Sequence, residues 1–268
     1  MSYRRKHLNP RIKNLRPKKR IWKSPIFWVG ILLLVLAIGS IYLVFFWSKF
    51  QIQSIQISGN VKADSKEIES LAFEHIQKKF IYVSHKSIFI TDTKKITSDI
   101  LQKFPVIENV DVGKNYPDSL RLDIVERDQF AVFCGQQNKI KCFSIDKNGI
   151  IFEPLKDLPD NMLVLIPETT NKEFLPGESA IGKNIMDAIN NIQIELKDNF
   201  QIDIKEAFVS DPLIVRTSEN WKLYFDPDGD IQSQITKMNL MLKDQITPNA
   251  RKNLQYIYLQ YKDRAYYK

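Results

Sequence analysis

The sequence predicts a single N-terminal transmembrane helix followed by an α+β exported part, made of a small β-α-α-β-β module and then a β-rich domain with two helices. Three observations predict it. One uncharged apolar run in residues 24–49 follows a tail with ten basic and no acidic residues; two amphipathic helical stretches lie between a strand and a β-hairpin; and from Asp128 onward short apolar segments alternate with turn residues.

The run from Ile26 to Trp47 holds 22 residues. As a helix it reaches about 33 Å, enough for a bilayer core of about 30 Å. A cleavable signal has an apolar region of roughly 7–15 residues and a small-residue exit. This run leaves through "LVFFWSKF", so an uncleaved anchor over residues 25–47 is expected. A buried helix of a soluble protein would show a polar face, whereas this one is apolar all round, with Trp22, Trp28, Tyr42 and Trp47 near its ends. The tail, residues 1–24, carries +10, which places it in the cytoplasm and exports residues 50–268. With an overall formal charge of +8, everything outside the tail is then near −2. No aromatic or repeat pattern of nucleic-acid recognition accompanies the basic charges, so they read as a topogenic, weakly lipid-binding flank.

The 219 exported residues suit two domains, expected over 50–127 and 128–268. In the first, "QIQSIQIS" (51–58) is a strand ending at the Gly59-Asn60 turn. Asp64 and Glu67 have capping-box spacing, and Ile68, Leu71, Ala72 and Ile76 follow on one helical face. His75 beside that stripe reads as a partly buried structural histidine, since no second ligand stands near it. Asp92 or Thr91 can cap a second helix whose face is Ile96, Ile100, Leu101 and Phe104, and Pro105 stops it. Val106 to Val112 and Leu120 to Ile124 alternate around "GKNYPDS", a β-hairpin. Two helices covering one face of a three-stranded sheet result.

In the second, "QFAVFC", "KIKCFSI" and "IIFEP" are short strands, the last two joined by the turn "DKNG" at 146–149. After an apolar strand in "NMLVLIP" and an irregular loop, Ile185, Ala188, Ile189, Ile192 and Leu196 mark a helix. The strands "QIDIKEAFV", "LIVRTS" and "WKLYF" follow. A helix over about 231–245 is closed off by Pro248, and the run from Asn253 reads as a final strand with large side chains on both faces. Cys134 and Cys142, the two cysteines of the chain, are placed to bridge a hairpin in an oxidising compartment, but two free thiols fit the sequence as well.

A search for catalysis finds little. The histidines are His7, His75 and His85, and no "HExxH", "GxSxG" or glycine-rich phosphate loop occurs. "DPDGD" at 226–230 starts like a calcium loop, yet its glycine is misplaced and Lys237 stands where the bidentate glutamate belongs, so a solvated turn is expected. Ser144 and Lys147 form an "SxxK" that falls in a strand and turn instead of at a helix start. Glu126 and Asp128 lack the aromatic surroundings of a sugar site. The sequence points to no enzyme activity, no metal and no cofactor.

Taken in order, these segments resemble the FtsQ/DivIB family of bacterial cell-division proteins. "IQSIQISGN" is similar to the family's opening strand and turn, "FPVIENVDV" to its proline-led segment with Val106 in place of Trp, "NYPDSLRLDIVERD" to its "WP..L.I.I.ER.P", and "FSIDKNGIIF" to its "..VD.DG.VF" hairpin. The resemblance runs over nearly the whole chain, resting on order and spacing more than on any one motif. It implies a POTRA domain at 50–127 and a β domain at 128–268 ending in an exposed-edge strand.

For function, the resemblance implies a non-enzymatic divisome scaffold in the cell membrane at the septum. It would recruit and regulate septal peptidoglycan synthesis through FtsB/DivIC-like and FtsL-like coiled-coil partners. The family's last strand takes up a partner segment as an added strand, and "YIYLQYKD" (256–263) is similar to its "YIDLRY". Tyr256, Tyr258, Gln260, Tyr261, Lys262, Asp263 and Tyr266 are therefore the expected partner-binding residues. Tyr258 stands at the acidic position and Gln260 at the basic one, which shifts the expected weight from salt bridging to backbone pairing and aromatic anchors. Another POTRA-bearing assembly or secretion factor, or a membrane-anchored cell-wall enzyme, is the alternative; the first would continue into a barrel and the second needs catalytic residues that are not found.

Overall fold

The structure, a computed structural model, describes residues 24–76, 78–80, 83–135, 141–159, 161–168 and 173–268. The basic tail up to residue 23 lies outside them. Helix α1 (Pro25–Phe46) has no acidic residue in its first turn and no basic one in its last. It is long and apolar enough to cross a membrane, and its leucine, isoleucine and valine side chains from Ile26 to Ile41 are exposed. Ser40 Oγ donates to Leu36 O at 2.8 Å, satisfying a hydroxyl that lipid could not.

The first module is built as β1 (Ser54–Ser58), α2 (Ser65–Ile76), α3 (Thr93–Lys103), β4 (Ile107–Asn115) and β5 (Ser119–Glu126), with sheet order β1-β5-β4. Between the helices, β2 (Lys78–Phe80) and β3 (Val83–His85) form a small hairpin that hydrophobic periodicity did not signal. Asp92 is the cap of α3, accepting from Lys95 N, and Thr91 Oγ1 donates to Ser87 O instead. On α2 the capping role is shorter in range: Asp64 Oδ1 accepts from Lys66 N. Ile68, Ala72, Ile96, Ile100, Ile107, Leu120 and Leu122 are each fully buried. At roughly 1.5–3 kcal/mol for a large aliphatic side chain, this small core rests on such residues. His75 and Asp99 join α2 to α3 across 2.7 Å, in keeping with a structural histidine.

The turn after β1 requires its glycine. Gly59 has φ +82°, and a Cβ there would lie 2.1 Å from Ile124 O. Below it, the Glu126 carboxylate accepts from the backbone N–H groups of Val61, Lys62 and Ala63 at 2.8–3.0 Å. Desolvation acts to raise its pKa, but the three N–H donors and the Lys62 charge outweigh that and hold it below the usual glutamate range.

The second domain is a nine-stranded sheet. Its strands are β6 (Ala131–Cys134), β7 (Cys142–Ile145), β8 (Ile151–Leu155), β9 (Val164–Pro167), β10 (Ile204–Val209), β11 (Leu213–Thr217), β12 (Lys222–Phe225), β13 (Tyr256–Tyr258) and β14 (Tyr266–Tyr267), in the order β14-β13-β12-β11-β10-β9-β6-β7-β8. Helix α4 (Lys183–Phe200) crosses between the parallel pair β9 and β10, and α5 (Ile231–Leu240) between the parallel pair β12 and β13. Both helices pack on one face of the sheet. Met186, Ile189, Ile192 and Leu196 of α4 and Ile235 and Met238 of α5 share a core with Phe133, Leu165, Val215, Trp221, Leu223 and Ile257. Cys134 and Cys142 are disulfide-bonded across β6 and β7, which resolves the open choice in the sequence.

Two expectations are corrected. Pro248 does not close the helix that precedes it: α5 ends at Leu240, a π turn (Met241–Gln245) follows, and Pro248 opens a short helix α6 (Pro248–Arg251) capped by Thr247. Proline lacks an N–H that this first position does not need. The final run is not one strand over 256–263. The chain leaves β13 after Tyr258 and returns as β14, antiparallel to it.

The domains meet through a buried ion pair. Arg127 donates from Nη1 to Asp146 and from Nε to Pro105 O, with side chains 12% and 4% exposed for Arg127 and Asp146. Asp146 Oδ1 also accepts from the N–H groups of Asn148 and Ile150, shaping the "DKNG" turn.

Candidate partner-binding edge

β13 follows from its alternation: Ile257 points into the core and is fully buried, while Tyr256 and Tyr258 point to the opposite face and are half-buried. Pairing with β12 sets Tyr258 beside Tyr224, ring centroids 4.4 Å apart, and Tyr256 lies 4.8 Å from Tyr258. Tyr261 reaches both Tyr258, at 6.5 Å, and Tyr266, at 5.7 Å edge-on. Five tyrosines thus line the end of the sheet. Partial desolvation, followed by the neighbouring Tyr224, Tyr256 and Tyr261, raises the Tyr258 hydroxyl pKa above its ordinary value. It stays neutral at physiological pH and serves as a hydrogen-bonding tip on an apolar body.

Register extends this row. Ile166, Phe208, Ile214, Tyr224, Tyr258 and Tyr266 are successive cross-strand partners from β9 to β14, all on the face away from the helices. Each is at least partly exposed.

The turn from β13 to β14 is held by a residue far away in sequence. Lys237 of α5 donates from Nζ to the carbonyls of Leu259 and Tyr261, with that of Lys262 at 3.5 Å. Leu259 N donates to Tyr224 O, and the Leu259 side chain is fully buried. The Leu259 N–H bond continues the ladder with β12, and the Lys237 bonds gather the carbonyls beyond it into the turn that sends the chain back. Along the return, Lys268 N donates to Tyr256 O at 3.2 Å and Lys268 O accepts from Gln255 N at 2.6 Å.

Residues 256 and 268 exchange bonds, so in the antiparallel ladder the next pair, Ile257 and Tyr267, does not. Tyr267 therefore turns its N–H and C=O outward, away from β13. The open edge of the sheet belongs to β14.

Of the residues expected from sequence, Tyr256, Tyr258, Tyr261 and Tyr266 come together in the tyrosine cluster. Gln260 is half-buried, and its Oε1 is buried without a hydrogen-bond partner. Lys262 and Asp263 are exposed in the turn. Sequence reasoning missed Tyr224, Lys237 and Tyr267. The outward position of Tyr224 in "WKLYF" was a readable signal, whereas nothing local marks Lys237.

Candidate catalytic groups are committed elsewhere. Ser144 is fully buried inside β7, Asp226 accepts from Asp228 N, and Asp230 caps α5 through Ser233 N. Glu126 holds the 61–63 turn. Among the described residues no cluster of three or more His, Cys, Asp or Glu could hold a metal ion.

Residues 50–127 match the family described as the POTRA domain, FtsQ-type. No curated protein matches the chain. That match covers β1 to β5 and the two helices between them, the module predicted for this segment. The chain therefore carries a POTRA domain of the FtsQ type over residues 50–127.

Proposed function

We propose that this protein is a single-pass membrane scaffold of the bacterial divisome, with its N-terminus cytoplasmic and its two domains outside. It recruits and regulates septal peptidoglycan synthesis through FtsB/DivIC-like and FtsL-like bitopic partners and performs no chemistry itself. The FtsQ-type POTRA domain directly behind one apolar helix carries this reading.

The partner strand adds to the outer edge of β14, using the N–H and C=O of Tyr267, while Tyr258, Tyr261 and Tyr266 anchor alternate side chains. Main-chain bonds supply affinity and the aromatic row supplies selectivity. Deleting 254–268 is a poor test, because it removes the core residues Ile257 and Leu259. Deleting 264–268 takes away β14 alone. Binding of a purified FtsB/DivIC-like segment is expected to fall by at least about tenfold, with cooperative unfolding retained. Undiminished binding by that folded variant would overturn the site, and a fluorescent fusion that fails to form a midcell band would overturn the division role.

A further inference from the structure

We propose that the anchor-proximal end of the POTRA domain docks on the bilayer itself, through Trp47, Phe50, Phe89, Ile90 and Tyr116. The proposal rests on the reading of α1 as a membrane span. Its own support is a patch of aromatic and aliphatic side chains left open at the one place where protein and lipid must meet.

The junction leaves little slack. Trp47 follows α1 directly, and Ser48–Phe50 form a 3₁₀ turn, with Phe50 N donating to Trp47 O at 2.9 Å. At a rise of about 2 Å per residue, Phe50 stands about 8 Å beyond Phe46. The headgroup zone adds about 5–8 Å to each side of the hydrocarbon core. Phe50 is thus at the outer margin of that zone, and whatever is fastened to Phe50 is there as well.

The segment around Phe89 is fastened to it. Ile88 N donates to Phe50 O at 3.0 Å, Ile52 N to Lys86 O at 2.9 Å, and Lys86 N to Gln51 Oε1 at 2.6 Å. Ring contacts continue the chain of aromatics from Trp47 to Phe50 (5.9 Å), Phe50 to Phe89 (5.4 Å) and Phe89 to Tyr116 in the β4–β5 turn (5.6 Å). Trp47, Phe89, Ile90 and Tyr116 remain 40–58% exposed. A contiguous apolar patch of this kind marks a contact surface, and Trp and Tyr favour the membrane interface.

Charge also fits lipid headgroups. Lys49, Lys86 and Lys114 border the patch, and Lys114 Nζ donates to Phe89 O at 3.4 Å, whereas Asp92 and Asp118 are the flanking acids. Each lysine near an anionic surface adds about 1 kcal/mol. At the far end of the same strands lie the 59–63 turn and the joint to the β domain, so docking would stand the POTRA domain upright and hold the β14 edge away from the bilayer.

The test uses the full chain in bilayers of phosphatidylcholine, with and without phosphatidylglycerol. Single-cysteine variants Leu34→Cys, Ile90→Cys, Tyr116→Cys and Val61→Cys are spin-labelled, the two native cysteines being paired, and label depth is read from collisions with oxygen and with a nickel chelate. Position 34 should report the hydrocarbon core, 90 and 116 the headgroup zone, and 61, at the far end of β1, water. Nickel access at position 90 should rise severalfold when Phe89→Ser and Tyr116→Ser are added, with no change in secondary structure. Aqueous depth at 90 and 116 with position 34 in the core would overturn the docking and leave the patch to a protein partner. Aqueous depth at position 34 would overturn the anchor reading and the docking with it. Dependence on phosphatidylglycerol would assign part of the contact to the lysines, and equal depth in both bilayers would assign it to the aromatic side chains.

Discussion

The two ends of the nine-stranded sheet present the same backbone chemistry and are finished in opposite ways. At the β8 end, Ile151 N donates to Glu178 O and Gly177 N to Ile151 O at 2.7 Å, so the loop before α4 covers the edge. Gly149 fits there because its φ is +81° and a Cβ would strike Ile181 O at 2.0 Å. Arg127–Asp146 and Lys62–Glu153 then tie this end to the POTRA domain. At the other end β14 is two residues long, and both are exposed tyrosines. An unpaired ladder invites another strand wherever the chain does not cover it. One end is closed to make a two-domain body and the other is left with a valence.

The largest expected effect breaks the closed end. In Arg127→Ala the Asp146 carboxylate keeps its burial and its two N–H donors but loses its only cationic partner among the described residues, so stability should drop by about 3 kcal/mol. Denaturant unfolding of the two domains measures it. Lys62→Ala is the matched control, since the Lys62–Glu153 pair is 49% and 42% exposed and should contribute no more than about 1 kcal/mol. Equal losses in the two variants would break the distinction between a buried joint and a surface tether.

A smaller effect is expected at Glu126. Its folded pKa is lowered, so its contribution to stability is present above the ordinary glutamate range and is lost as pH falls through the folded value. Solvent screening on this partly exposed carboxylate holds the size to about 1 kcal/mol. Glu126→Gln should be less stable than the parent at neutral pH and match it in acid below that range. A constant gap at every pH would show that the 61–63 turn depends on shape and not on charge.

The POTRA domain was more legible than the terminal edge. Its strand, helices and hairpin each carry local signals: the period of Ile96 and Ile100, the cap at Asp92, the stop at Pro105. The hairpin of β2 and β3 has three residues a side and too little alternation to register. At the end of the chain, "YIYLQY" alternates as one strand would. What bends it is Lys237, about twenty residues earlier, whose ammonium gathers the Leu259 and Tyr261 carbonyls. Local periodicity cannot report a tertiary bond, so the tyrosines were found and the strand that carries the open edge was not.

The least disruptive change tests the open end most directly. Tyr267→Pro removes the one N–H that β14 presents outward, and proline is tolerated on an edge strand where that donor faces solvent. Because Tyr267 exchanges no bond with Ile257, stability should change by no more than about 0.5 kcal/mol. Partner-strand binding should nevertheless weaken by about tenfold, the scale of one lost main-chain bond with its acceptor left unpaired. Tyr267→Ala separates the donor from the ring: it keeps the N–H, and its side chain lies on the helix side of the sheet, away from the tyrosine row. Binding close to the parent in Tyr267→Ala with loss in Tyr267→Pro would sharpen the contrast to a single hydrogen bond. Loss in both alike would move recognition from the backbone to the side chains and end the account of β14 as an open valence.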